Sequence, residues 1–193
     1  GGSCGAAGSD TLVVTVSSIN PNAGQDVSIC LGSSAPLNAT GGTNYLWSPV
    51  IGLSDPTIAN PIANPIITTD YIVNIDNGIC FGVDTVNVNV LAISPVSFIA
   101  DDTTNCAPLC VQFTNTTPNT VACDWDFGDN TTSNICNPFY CYNNPGSYSV
   151  TLITTDINGC KDTLSKINYL NVYPNAIASF TMQPTATTLQ YPD

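Results

Sequence analysis

Asp84-Thr85-Val86-Asn87-Val88-Asn89-Val90 is the stretch that decides the fold. Val86, Val88 and Val90 fall on one face, and Thr85, Asn87 and Asn89 on the other. A period of two is the mark of a half-buried β-strand. The phrase occurs twice more. Asp10-Thr11-Leu12-Val13-Val14-Thr15-Val16 follows Cys4, and Asp162-Thr163-Leu164 follows Cys160, as Asp84 follows Cys80. The Asp positions are 84 − 10 = 74 and 162 − 84 = 78 residues apart. A phrase returning at that spacing marks tandem modules, each large enough to hold its own core.

Other features keep the same period. Cys30, Trp47, Tyr71 and Cys80 align with Cys106, Trp125, Tyr148 and Cys160, and Phe98 recurs as Phe180. The repeat predicts two full modules, 19–92 and 93–173. Residues 1–18 are expected to be the last strand of a preceding module, and residues 174–193 the first strand of a following one. Tyr71, Val73 and Ile75 alternate, as do Tyr148, Val150 and Leu152. Turns are marked by Gly41-Gly42, Asp76-Asn77-Gly78, Asn143-Asn144-Pro145-Gly146 and Asn158-Gly159. No stretch has helical periodicity. Short strands at regular spacing, with a Trp between two distant cysteines, predict an all-β chain of tandem immunoglobulin-like sandwiches.

Composition narrows the function. The chain has 193 residues and a net charge of −12, with 14 acidic residues, all Asp, two basic residues, Lys161 and Lys166, and no His. Without His there is no imidazole base and no His-ligated zinc. Without Arg there is no cationic surface for nucleic acid. The negative charge repels anionic lipid, and no run of 18 apolar residues predicts a membrane helix. Gly1-Gly2-Ser3-Cys4 lacks the basic and apolar regions of a signal peptide, so an export signal is expected outside this sequence.

Cys123-Asp124-Trp125-Asp126-Phe127-Gly128-Asp129-Asn130 resembles the W-x-F-G-D-G stretch of PKD (polycystic kidney disease) domains. Asn137-Pro138, Tyr142 and Pro145-Gly146-Ser147-Tyr148-Ser149-Val150-Thr151-Leu152 resemble the later N-P…Y…G-x-Y-x-V-x-L stretch of that family. Asn130 replaces the final Gly of the first motif, and Asn also tolerates positive φ. The first module, with Tyr45-Leu46-Trp47-Ser48-Pro49, Gly52-Leu53-Ser54, Asn64-Pro65 and Thr68-Thr69-Asp70-Tyr71-Ile72-Val73, is similar to Ig-like modules of giant surface proteins of gliding bacteria. Those proteins are exported by the type IX secretion system. The resemblance implies an extracellular or cell-surface array, such as an adhesin, a gliding-associated filament or an enzyme stalk, and no catalytic role.

The repeat makes Cys30–Cys80 and Cys106–Cys160 equivalent pairs, expected to be disulfides joining early and late strands. Cys123 and Cys136 flank the Gly128-Asp129-Asn130 turn, where a bridge would clip a hairpin. Cys110 and Cys141 remain, both in predicted strands. Cys4 aligns with Cys80 and Cys160, so its partner is expected in a preceding module. The rival reading is metal binding, but no Cys-x-x-Cys exists and the cysteines are too scattered for a zinc ribbon. Trp47 and Trp125 are expected in the cores, packed on the disulfides.

Asp124 and Asp126 share one strand face, and with Asp156 from a later strand they form a candidate set for Ca²⁺, a hard cation that takes carboxylate oxygens. Some PKD domains of secreted bacterial enzymes bind calcium near equivalent positions. The competing reading has these residues cap turns and solvate the outer face. Neither Asp124 with Asp126 nor Asp101 with Asp102 fits an acid–base pair, which needs a sugar-lined cleft. Thr11, Thr85, Thr103 and Thr163 match the Asp-Ser/Thr-apolar O-glycosylation motif of the same bacterial group, against a plain strand reading. Tyr140, Tyr169 and Tyr173 are candidate exposed contact residues. The expected partners are neighbouring modules, surface glycans or identical subunits, the last by strand addition. The expected role is a stiff spacer and contact surface, with a region of a secreted hydrolase as the alternative.

Overall fold

The computed structural model describes residues 18–179. The chain divides into two compact units, with the boundary between Ile93 and Ser94. The first holds β1 (Val27–Cys30), β2 (Ala35–Pro36), β3 (Asn44–Ser48), β4 (Ile62–Ala63), β5 (Thr69–Asp76) and β6 (Phe81–Leu91). The second holds β7 (Phe98–Ala100), β8 (Thr104–Cys106), β9 (Leu109–Asn115), β10 (Thr120–Asp126), β11 (Thr132–Ser133), β12 (Phe139–Tyr142), β13 (Gly146–Asp156) and β14 (Lys161–Tyr173). The described residues contain no helix long and apolar enough to cross a membrane.

In unit 1 a four-stranded sheet runs β1-β6-β5-β3, and β2 pairs with β4 in a second, two-stranded sheet. The alternation read from the sequence sets which face is buried. Tyr71, Val73 and Ile75 of β5 and Val86 and Val88 of β6 point inward, where they meet Trp47, Leu37, Ala39 and Ala63. Each large apolar side chain sealed this way contributes about 1.5–3 kcal/mol relative to exposure. The hairpin between β5 and β6 turns on Gly78, at φ 86°, whose N–H donates to Asp76 Oδ1.

Unit 2 is a fuller sandwich. A five-stranded sheet, β11-β10-β13-β14-β8, faces a three-stranded sheet, β12-β9-β7. Val111 and Phe113 of β9 and Phe98 of β7 meet Trp125, Val150, Leu152 and Leu170 from the larger sheet. Trp125 packs edge-on against Phe98, with ring centroids 4.9 Å apart, and tilted against Phe113 at 5.2 Å. Trp47 and Trp125 are thus core residues as expected, but Trp125 rests on aromatic rings. Trp47 Nε1 donates to Ile58 O at 2.9 Å, whereas Trp125 Nε1 has no acceptor among the described residues.

The repeat also shows in strand pairing. Short β1 lies parallel to the end of β6, and short β8 lies parallel to the end of β14. Cys30, the last residue of β1, is opposite Leu91, and Cys106, the last residue of β8, is opposite Tyr173.

Candidate functional site

The recurring Asp-Thr phrase has a structural use in both units. Ala23 N donates to Asp84 Oδ2 at 2.8 Å, and Val96 N donates to Asp162 Oδ2 at 3.2 Å. Each carboxylate therefore pins the first segment of its unit to the start of the last strand. A free peptide N–H at a part-buried chain start would otherwise cost a lost hydrogen bond. Thr85 and Thr163 beside these Asp residues are exposed, and Thr103 is half-buried. Thr11 lies outside the described residues.

The Trp125–Asn130 stretch forms the tip of β10 and its turn. Gly128 adopts φ 81°, and a Cβ there would lie 2.3 Å from Ser149 O, so both the backbone and the space demand glycine. Asn130 follows at φ 70°. Asp126 Oδ1 accepts from Gly128 N at 2.9 Å. Asp129 accepts from Thr131 N at 3.1 Å and, through Oδ2, from Tyr140 OH at 2.7 Å. Burial raises the Asp129 carboxyl, but the hydrogen bonds from Thr131 and Tyr140 outweigh it and hold the group below its ordinary value. Tyr140 is pushed up, first by desolvation and then by the Asp129 charge. Its ring stacks on Phe127 at 4.2 Å, and buried Tyr142 donates to Phe127 O at 3.0 Å. The motif is a wiring diagram for one turn.

The proposed calcium set does not assemble. Asp124 and Asp126 point to the outer face of β10, opposite Ile153 and Thr151 of β13. Asp156 sits at the end of β13 opposite Thr120, on the buried side of the same sheet. Strand pleating sends alternate residues to opposite faces, so this carboxylate is turned away from the other two. Asp156 Oδ1 instead accepts from Asn158 N and Cys160 N, closing the turn before β14. Among the described residues no group of three metal-ligating side chains forms. Outside Asp124 and Asp126 lies a shallow groove of ≈ 540 Å³, lined further by Thr132, Ser133, Asn134 and Thr151.

Two disulfides clip unit 2. Cys110–Cys141 joins directly opposed residues of β9 and β12, with Cα atoms 3.9 Å apart. Cys123–Cys136 ties β10 to the segment before β12, with Cα atoms 5.1 Å apart. The two repeat-equivalent pairs are corrected by the register. Cys30 lies beside Leu91 at the end of β6, whereas Cys80 immediately precedes its start. Cys106 lies beside Tyr173 at the end of β14, whereas Cys160 precedes its start. At ~3.3 Å per residue these separations are roughly 36 and 43 Å, far beyond the ~7 Å Cα limit of a disulfide. Neither Cys30–Cys80 nor Cys106–Cys160 forms; Cys106 is an exposed free thiol. Cys4 lies outside the described residues.

Three features escape a linear reading. Lys166 Nζ donates to Phe98 O at 2.7 Å and sits 4.5 Å from the Phe98 ring centre and 4.4 Å from that of Tyr169. One of the two cations thus tacks β7 onto β14. Tyr169, expected as an exposed contact residue, is half-buried and its OH accepts from Ala100 N at 3.1 Å. Tyr140 is half-buried too, while Tyr173 is exposed. In unit 1, exposed Ile51, Ile66 and Ile67 join Pro49 and Pro65 around an apolar groove of ≈ 480 Å³. Nothing in the period-2 pattern marks these loop residues.

Residues 93–172 match the family model described as PKD domain. A 65-residue stretch is 42% identical to the pre-pro-metalloprotease PrtV of Vibrio cholerae serotype O1, covering 32% of this chain and 7% of that protein. The chain thus spans 7% of the length of that curated relative. The crystal structure of the PKD1 domain from the V. cholerae metalloprotease PrtV is 34% identical, covers 41% of this chain and 99% of that domain, and superposes with a TM-score of 0.35. The PKD1 domain of Vibrio anguillarum Epp is 26% identical over 40% of this chain and 93% of that domain, with a TM-score of 0.34. The second unit carries a PKD-type, Ig-like β-sandwich.

Proposed function

We propose that this chain is a structural and adhesive segment of a long bacterial cell-surface or extracellular repeat protein, of the gliding-associated, type IX-secreted kind. It works as a stiff spacer and a contact surface. One observation carries the reading: the carboxylates are spent on construction. Asp26, Asp84, Asp101, Asp102, Asp126, Asp129, Asp156 and Asp162 all accept backbone N–H groups. Side chains used this way stiffen turns and chain starts and leave little for chemistry. The short linker Leu91-Ala92-Ile93-Ser94-Pro95 adds a proline, whose fixed φ restricts bending. Two disulfides in unit 2 fit an oxidising, extracellular setting.

Single-molecule pulling of the chain tests the reading. A load-bearing spacer should give two separate unfolding events, with the second unit's contour length shortened by its disulfides and restored by reductant. A chain that extends without resolved events overturns the spacer role. Glycan-array binding by the chain tests the contact surface, and glycopeptide mass spectrometry of native material tests Thr85 and Thr163 as modified residues.

The 42% identity to a metalloprotease over 65 residues supports a second reading, in which the chain is a spacer region of a large secreted hydrolase. A catalytic domain encoded in the same polypeptide would favour that reading over the adhesin.

A further inference from the structure

The two units build the outer face of the same sheet from different residues. In unit 2 the cross-strand rows that flank Trp125 read Asp124–Ile153–Thr163 and Asp126–Thr151–Ser165, a polar face suited to water. In unit 1 the rows that flank Trp47 read Leu46–Asn74–Val83 and Ser48–Ile72–Thr85, and the next row reads Asn44–Asp76–Phe81. Phe81 is 86% exposed, Val83 59% and Leu46 54%. The alternation of β3, β5 and β6 sends these side chains away from the core that Trp47, Val73 and Ile75 fill. Unit 2 shows that this face can be wholly polar, so a contiguous apolar patch in its place marks a contact site. Asn44, Leu46, Asn74, Asp76 and Phe81 also line a shallow depression of ≈ 180 Å³.

We propose that this outer face of unit 1 is a binding platform for a neutral polysaccharide of flat, equatorially substituted sugar rings, with Phe81 as its stacking surface and Asn74 and Asp76 as its polar contacts. The inference rests on the contact-surface half of the function proposed above and gives that surface a place and a ligand class. Charge and size choose the occupant. The face carries Asp70 and Asp76, and both lysines of the chain lie in unit 2, so an anionic glycan or lipid is repelled. A second copy docked by two-fold symmetry would set these carboxylates against their own kind. A stable protein pair also needs ~800 Å² per partner, from about 20–30 residues, and this patch is far smaller.

A neutral sugar ring fits the mixture of groups. Its C–H face is apolar and packs on an aromatic ring, while its hydroxyls project around the rim and seek planar polar partners. Asp76 is set in place for this. Its Oδ1 accepts from Asn44 Nδ2 at 2.9 Å and from Gly78 N at 2.8 Å. The same two bonds, Asn44 first, hold the carboxyl below its ordinary value, so it stays an acceptor. Its Oδ2 is left to accept from a sugar hydroxyl. The neighbouring Asn74 amide makes no hydrogen bond among the described residues, so it can donate to one hydroxyl and accept from another. Val83 and Leu46 on either side of Asn74 extend the apolar floor along the second row.

The test titrates the isotope-labelled 193-residue chain with cellohexaose and with the hexamer of N-acetylglucosamine, followed by amide NMR, with hexagalacturonate as the anionic counterpart. At least one neutral probe should shift the amides of Leu46, Asn74, Phe81 and Val83, and the anionic probe should shift none of them. Phe81→Ala should weaken binding by about tenfold, as expected when a stacked ring is removed, and Asn74→Ala should weaken it several-fold. Both variants should melt with the wild-type chain, because the side chains they remove are exposed. Ile66→Ala, in the other groove of unit 1, should bind as wild type. No response to either neutral probe at millimolar concentration overturns the platform. So does binding that Phe81→Ala leaves intact, or a concentration-dependent dimer in sedimentation that Phe81→Ala abolishes. A glycan array run with wild type and Phe81→Ala separates the two failures. Signals shared by both proteins keep the contact role and remove this site, whereas an array blank for both removes the contact role and leaves the spacer.

Discussion

Replacing Asp162 with Ala should loosen unit 2 and leave unit 1 untouched. The residue accepts two backbone hydrogen bonds, from Val96 N at 3.2 Å and from Thr163 N at 2.8 Å. Thr163 N is exposed and water replaces its partner; the Val96 bond is part-buried, and Val96 itself packs in the core. Removing a charged acceptor from a part-buried amide costs about 1.5–3 kcal/mol. Taking ~2 kcal/mol, the unfolding equilibrium of the unit shifts by about 30-fold, at 1.4 kcal/mol per tenfold. Hydrogen exchange read by mass spectrometry resolves the two units in one sample. The slowest amides of β10, β13 and β14 should exchange about 30-fold faster in the variant, with those of β5 and β6 unchanged. Asp162→Asn, which keeps an oxygen acceptor without the charge, should lose about half of that free energy. Asp124→Ala on the outer face is the control and should stay within ~0.5 kcal/mol. If Asp162→Ala exchanges no faster than Asp124→Ala, the carboxylate is not a fastener and the structural account of the recurring phrase fails.

Removing Cys123–Cys136, which closes 13 residues, should destabilise unit 2 by about 3 kcal/mol in the chain-entropy model. Removing Cys110–Cys141, which closes 31 residues, should cost slightly more, about 3.7 kcal/mol; urea midpoints of the double-alanine variants check both. Gly128→Ala and Gly159→Ala both face positive φ, at 81° and 82°, but only Gly128 also meets backbone, at Ser149 O. Gly159→Ala should therefore cost only ~1–2 kcal/mol of backbone strain, and Gly128→Ala clearly more, as read by melting temperature. Asp129 is held below its ordinary value of 3.8, so its stabilisation is present above that pH and is lost as pH falls through the lowered folded value. Asp129→Asn should accordingly flatten acid unfolding below pH ~4; an unchanged acid limb would refute the assignment. Lys166→Met should raise exchange of the β7 amides first, because the ammonium holds Phe98 O.

Much of the fold was legible because it rests on local pattern. The alternation of Tyr71, Val73 and Ile75 named the buried face of β5, and all three are fully buried. The Asn-Gly and Gly-Asp-Asn turns were readable because positive φ selects those residues. The second disulfide set was harder. Cys110 and Cys141 were left over by elimination, and only the antiparallel register of β9 with β12 makes them direct neighbours. The aromatic cage of Lys166 was invisible, because Phe98 and Lys166 lie 68 residues apart.

The sequence by itself determined the strand pattern, the repeat, the turns and the absence of imidazole and guanidinium chemistry. These follow from residue type and short spacing, which need no partner strand. Tertiary structure alone decided which cysteines meet, where Asp156 points, and what the recurring Asp does. All three depend on register between distant strands. Equivalent positions in a repeat share an environment, but nothing in the repeat tells how far apart two positions of one module lie. A last strand of 11 residues in one unit and 13 in the other sets that distance, and it keeps Cys30 from Cys80 and Cys106 from Cys160, at opposite ends of the strand.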